Sequence, residues 1–414
     1  VRFRLGFPEK IGGWVKYSSN IFQGTCRALH TWVTLSGTQY LGLGTHLKYY
    51  LEIGQSFSDI TPIRKTSTNT ITFAATDGSS TITVTDSSNG SVVNDFVTFS
   101  GAVSLGGLVT AAVLNQEYQI IGVTSANVYT IVAKDTDGVT VTANSSDSGN
   151  GGSGVDGAYQ LNVGLDTEVG GTGWGASTWG RSTWGSSADI TSTTELRLWS
   201  HDNFGEDLLI NPRDGGVYYW DASVSNAFTT RAVDLVDISG ASDVPTIAKQ
   251  IMVSDNSRHV IAFGTNTINT AVQDSLLIRF SDQESFLDWT PKATNSAGDL
   301  RIGSGSNFVR AIETKREILI WTNSSLQTMQ YLGPPFVFGI QPLASNITIM
   351  GANAIVAVED SVFWMGKDCF YMYNGQTKQL PCTVKEEVFF NFNSGQEEKV
   401  YAGINSEFSE VTWF

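Results

Sequence analysis

Residues 208–220 read LLINPRDGGVYYW: an apolar run, a Pro-Arg-Asp-Gly-Gly reversal, and a second run that ends on an aromatic pair. Apolar, β-branched and aromatic runs bounded by Gly, Asn and Asp are strand signals, and the DGG between them marks a tight turn. Units of two or three such short strands recur at 40–51 (YLGLGTHLKYYL), 259–289, 309–331, 354–373 and 400–413. Their spacing, about 40 to 50 residues, falls in the range of propeller blades. A unit of this kind exposes an apolar face until it stacks on a neighbour, and a ring of units buries those faces without leaving long open edges. The chain is therefore expected to be all-β, with a β-propeller-like main domain; a stacked β-sandwich is the other arrangement these degenerate repeats allow.

Composition changes and then changes back. Residues 1–65 and 188–414 are rich in Trp, Tyr and Phe, whereas 66–157 is dominated by Thr, Ser, Val, Gly and Asp and holds one Lys, no Arg and eight acids. Period-two alternation inside that stretch, as at Ile71/Phe73, Ile82/Val84 and Val139/Val141, is punctuated by DG, NG and GG turns. It reads as a small β-domain, a knob, inserted into a loop of the larger one. The run SSDSGNGGSG (145–154) reads as a flexible exit linker by composition. The expected organisation is 1–65 as the first part of the propeller-like domain, 66–157 as the knob, 158–187 as a Gly/Trp-rich junction, and 188–414 as the remainder.

That junction contains GWGASTWGRSTWG (173–185), with Trp174, Trp179 and Trp184 five residues apart and a glycine after each. A spacing of five places successive side chains on opposite faces of a strand, and the glycines oppose a helix, so one regular element cannot bury all three rings. These tryptophans are the candidate interaction residues. They could anchor a neighbouring subunit, stack on a sugar, or close the junction between domains.

The remaining chemistry excludes more than it supports. Lys plus Arg number 25 against 40 Asp plus Glu, a formal charge of −15, so nonspecific capture of nucleic acid by counterion release lacks its driving term. Cys26, Cys369 and Cys382 form no CxxC pair and are expected as buried thiols, and His30, His46, His201 and His259 show no HxxxH or HExxH spacing. No catalytic residue, metal site or cofactor is expected. GNGGSG (149–154) matches a dinucleotide fingerprint without the strand and helix that would give it meaning. DTDG (135–138) lacks the downstream acids of a calcium loop and reads as a turn. SDQESFLDWTP (281–291) approximates the Asp-box of sialidase propellers but lacks its glycine and its Trp spacing. No run of eighteen apolar residues occurs. The opening at Val1 and the close on EVTWF suggest a fragment of a longer product.

Several segments together resemble one family. FRLGFPEKIGGW (3–14), GTHLKYYLE (44–52), DITPIR (59–64), the Trp-Gly run, LWSHDNFGEDLLINPRDGGVYYWD (198–221) and FSDQESFLDWTP (280–291) are similar to tail proteins of short-tailed bacteriophages: the nozzle, or tail tubular protein B, and the packaged-DNA stabilization proteins. The resemblance spans nearly the whole chain. It implies a virion structural protein, made in the host cytoplasm, with a propeller-like domain and an inserted knob. Such a protein forms a homohexameric ring below the portal and adaptor, carries fibres or spikes nearby, and lets ejected DNA pass without sequence-specific binding. The competing expectation from the residues alone is a carbohydrate-binding propeller that recognises a host receptor; a glycoside hydrolase would need two facing carboxylates in a cleft.

Overall fold

The computed structural model describes residues 2–4, 7–10, 12, 13, 15–147, 149–170 and 194–414. Five four-stranded antiparallel meanders occupy 26–59, 199–234, 250–301, 308–345 and 355–379, followed by a two-stranded sheet at 402–413. Numbered in chain order, these are blades 1 to 6 of a propeller-like domain, and each of the six recurring sequence units falls on one of them.

The ring follows from the period-two alternation of the strands. In blade 2, Leu208 and Ile210 join the core shared with blade 1, around Tyr49, Leu51, Trp199 and Trp220, while Leu209 faces the core shared with blade 3. In blade 3, Val260 and Ala262 point back toward blade 2, and Ile261 and Phe263 point forward to blade 4. Blade 4 repeats the device with Ile318 and Ile320 on one side and Leu319 and Trp321 on the other, where Trp321 meets Trp364 of blade 5 edge to face at 5.2 Å. A strand buried on both faces reads as a continuous apolar run, which is why VIAF and EILIW lack polar alternation. Full burial of each such side chain stabilises by about 1.5–3 kcal/mol, and here it requires the neighbouring blade.

First strands lie side by side around the axis: Trp199–Phe204 packs against both Cys26–Val33 and Gln250–Val253. Polar side chains then pin the first strands of blades 2, 3 and 4 to one another. Ser200 Oγ accepts from the Ile251 amide at 2.9 Å and Asp202 Oδ2 from Val253 at 2.8 Å. Gln250 exchanges two 2.8 Å bonds with Ala311, and Glu313 accepts from Ser254 and the Asp255 amide at 2.9 Å. Blade 1 meets blade 2 through Trp199 Nε1, which donates to Thr45 O at 2.7 Å. Gly44 permits that approach, because a Cβ there would lie 2.5 Å from the Trp199 ring. The turn of the ring is completed where Asn353, ahead of blade 5, accepts from Ala402 and donates to Arg27 O of blade 1 at 3.3 Å.

Between Pro62 and Leu161 the chain builds the knob. One sheet orders its strands Glu117–Gln119, Phe96–Ser100, Asp156–Gln160, Ile63–Ser67; the other orders Gly122–Ser125, Val128–Val132, Thr81–Thr85, Thr72–Ala75. Phe73, Ile82, Val84 and Tyr129 from the second sheet share a single core with Val97, Phe99, Tyr118 and Tyr159 from the first. The entering and leaving strands, Ile63–Ser67 and Asp156–Gln160, are direct neighbours.

The Gly/Ser run at 145–154 is not a linker. It is fastened along the knob: Asn150 O accepts from Phe73 N at 2.9 Å, Gly151 O from Val103 N at 2.8 Å, and the Asp147 amide donates to Ala75 O at 3.0 Å. Glycine is required at 151 for a local reason: φ is +80°, and a Cβ would stand 2.4 Å from the Phe73 ring. Close backbone approach and chain flexibility select the same residue, so composition alone could not separate them.

Candidate functional site

Two clusters of charge organise the molecule, one where the knob meets the propeller and one at an end of the propeller axis. At the knob joint, Lys48, only 2% exposed, follows the second strand of blade 1. Its Nζ donates to Asp59 of blade 1 at 2.9 Å and to Glu117 of the knob at 2.6 Å, and lies 4.3 Å from the centre of the Phe96 ring. Arg231, reaching in from blade 2, donates to Asp59 at 3.2 Å and to Thr61 O at 2.7 Å, and Gln160 Nε2 bonds both carboxylates. Two carboxylates, one ammonium and one guanidinium thus balance, drawn from two blades and the knob. Burial alone would push the Asp59 carboxyl up; Lys48 and Arg231 outweigh it and hold it below the usual carboxylate range.

The chain leaving the knob is also fixed. Asp95, whose side chain is fully buried, accepts from the Val92 and Val163 amides and from Asn162 Nδ2, each at 2.8 Å. Burial is the largest influence on it and leaves its carboxyl above the ordinary value despite those bonds.

At the axial end, Arg213, directly after the second strand of blade 2, forms a two-pronged contact with Glu398, both at 2.7 Å, and lies 3.2 Å from Glu195. Lys249, ahead of blade 3, donates to Glu195 at 3.2 Å. Gln396 donates to Glu168 O at 2.9 Å, and Val169 and Thr194 exchange main-chain bonds at 2.9 and 3.0 Å. Trp174, Trp179 and Trp184 lie outside the described residues. What the structure does place is the pair of stems that flank their segment, side by side at this axial cluster.

The histidines and the loop carboxylates are engaged in structural contacts. His30 bonds Asn203 at 2.6 Å, stacks on Trp32 and lies 4.9 Å from His201, which bonds the Tyr49 hydroxyl at 2.8 Å. Burial pushes both imidazoles below their ordinary value, so they stay neutral. His46 accepts from Thr25 N at 3.0 Å, and His259 bonds Ser296 at 3.0 Å. In the 281–291 loop, Asp282 accepts from Ser296 and from its neighbour Gln283, and Asp288 from Ser242, Thr290 and Lys292, while Trp289 is buried with Nε1 on Phe286 O. Those carboxylates shape a corner of blade 3. Asp135 at DTDG closes a turn on Val139 N. Only Cys369 is buried; Cys26 and Cys382 are half-exposed, because each sits at a strand or loop margin, and all three are free thiols. Among the described residues no group of three or more His, Cys, Asp or Glu is placed to hold a metal, and no helix is long and apolar enough to cross a membrane.

Neither charge cluster was legible as a site in the sequence. Lys48, Glu117 and Arg231 are far apart along the chain, and the only signal was the scarcity of basic residues, which makes each buried one conspicuous.

No protein family matches the chain, and no curated protein does. Among solved structures it is similar to the phage phi92 endosialidase, at 12% identity with a TM-score of 0.24, covering 93% of this chain and 62% of that one. It is also similar to the extracellular domain of a hybrid two-component system from B. thetaiotaomicron, at 9% identity with a TM-score of 0.31, covering 86% and 49%. The chain spans less than two thirds of either structure.

Proposed function

We propose that this chain is a structural protein of a short-tailed phage, a nozzle-type subunit that assembles into a homohexameric ring, extends the tail channel and closes it until DNA is ejected. The observation that carries this reading is the knob joint. Lys48, Asp59, Glu117, Gln160 and Arg231 lock an inserted β-domain onto two blades, which makes the chain a stiff two-part building block rather than a hinged pair. The motif resemblance supplies the place for such a block, beneath the adaptor and beside the fibres or spikes.

Charge supports it as well. DNA passing through a tail must not be held, and a chain of net −15 repeated around a ring forms few lasting phosphate contacts. Heterologous ring contacts favour aromatic anchors, a role we assign to Trp174, Trp179 and Trp184. The test is electron microscopy of virions with an antibody against this chain, together with light scattering of the purified protein. Label at the tail and a six-membered ring are expected, with ring formation reduced when the three tryptophans are changed to Ala. Label on the head, or a monomer at every concentration, overturns the proposal.

A further inference from the structure

The third strand of blade 3, Leu277–Phe280, alternates Ile278 and Phe280 into the core shared with blade 4. Its register sets Arg279 opposite Ala262, on the face where Val260, Ala262 and Trp289 build the core shared with blade 2. A position that packing would give to an aliphatic side chain is held by an arginine, 2% exposed. Burying a guanidinium without a counter-charge forfeits its hydration, and protein acceptors must make up the loss. Here the compensation is thin. Nη1 reaches Asn266 O at 3.4 Å and Nη2 bonds Asp243 O, two main-chain acceptors for five N–H groups among the described residues. No ion pair to Arg279 is formed among the described residues, although Asp243 and Asp299 are near enough to act on its charge.

This guanidinium lines a surface cavity of about 360 Å³ between blades 2 and 3. Val244 and Asn266 are buried in its floor, and Val236, Thr246, Asn269 and Ala271 form an exposed lip. Asn266 is fully engaged in holding the lip, accepting from Thr246 N and donating to Thr270 O at 2.7 Å. Asp243 Oδ2 accepts from Thr290 at 2.6 Å, and among the described residues no donor bonds Oδ1. Fixed donors on Arg279, a carboxylate oxygen on Asp243 and an aliphatic wall of Val236, Val244 and Ile268 are the three elements that recognise an aliphatic amino acid: carboxylate, ammonium and side chain.

We infer that this cavity is a binding site for a small zwitterionic amino acid with an aliphatic side chain, its carboxylate on Arg279 and its ammonium on Asp243. The experiment is titration of the whole chain with leucine, N-acetyl-leucine and leucinamide, followed by calorimetry. Leucine is expected to bind saturably. N-acetyl-leucine, which keeps the carboxylate, should bind about tenfold more weakly, and leucinamide should not bind measurably. Arg279→Gln should weaken leucine at least about tenfold. Ala271→Trp, at the exposed lip and away from the core, should block binding with the far-ultraviolet spectrum unchanged, which guards against a folding defect in the first variant. No saturable binding of leucine up to about 50 mM overturns the assignment. So does leucinamide binding as tightly as leucine, or unchanged binding in both variants. Each of these three results leaves the tail-ring reading untouched, since that rests on the knob joint.

Discussion

The knob and the propeller are both all-β, yet they solve the same problem in opposite ways. The knob folds two sheets onto one core that belongs to it alone, built from aliphatics and a few rings. A propeller blade owns no core: Leu209 and Leu208, or Trp321 and Ile320, are adjacent in sequence and belong to different partnerships. Residue choice follows from this. The knob core is made of Val, Ile, Leu, Ala, Phe and Tyr with no Trp, whereas three of the cores between blades hold tryptophan, Trp199 and Trp220, Trp289, and Trp321 with Trp364, and the compositional boundary in the sequence is the trace of that difference.

The sharpest way to break the comparison is to cut the chain. Residues 63–160 expressed alone should fold and unfold cooperatively, while blade 4 alone, 308–345, should show no transition by circular dichroism. A folded isolated blade would mean that its two faces do not need neighbours. Within the intact chain, Trp321→Ala should destabilise the propeller by about 3–5 kcal/mol and leave the knob's transition in place. Denaturant titration read separately by propeller tryptophans and by hydrogen exchange in the knob resolves the two.

A smaller effect is expected at the joint. Lys48→Met leaves Asp59 and Glu117 with Arg231 as their only cation, so the loss should be about 2–3 kcal/mol, under the range for a fully orphaned buried charge. It should appear as protease cleavage near 62 and 161 rather than as unfolding of either part. Equal protection of both junctions in the variant would show that the ladders, not the charges, hold the knob.

The least effect, and the most diagnostic, is the sign of the pH response. Asp59 at the joint lies below its ordinary value, so the stability it contributes is present above the unfolded carboxylate range and is lost as pH falls through its folded value, below about pH 4. Asp202 between blades 2 and 3 is the reverse: burial pushes its carboxyl up to about 6, against the Val253 and Asn203 amides. The folded protein holds that proton where the unfolded chain has lost it, so the contribution falls as pH rises from about 4 to 6. Urea titrations across that range should show a downward slope that Asp202→Asn removes, and an acid-side loss that Asp59→Asn removes. Slopes of one sign in both variants would erase the distinction between joint and ring.

Fold class was legible because short apolar and aromatic runs bounded by Gly, Asn, Asp or Ser act locally, at 208–220 and again at each later blade. The pins between blades were not, since Asp202 with Val253, or Gln250 with Ala311, are pairs that only the ring brings together. The Gly/Ser run at 145–154 misled because glycine serves close packing against Phe73 as well as freedom. Arg279 offered a signal that went unread: a lone cation inside LLIRF, a run otherwise wholly apolar.

The knob is tethered by Ile63–Ser67 and Asp156–Gln160, adjacent strands whose propeller ends lie at the same side. A pull on the knob therefore loads both strands together, along their length, and must slide Asp156–Gln160 past Phe96–Ser100 with several bonds strained at once rather than peel them singly. A two-strand stalk also resists torsion that a single tether would not, so a torque applied to the knob is passed on to the propeller rather than spent in twisting the connection.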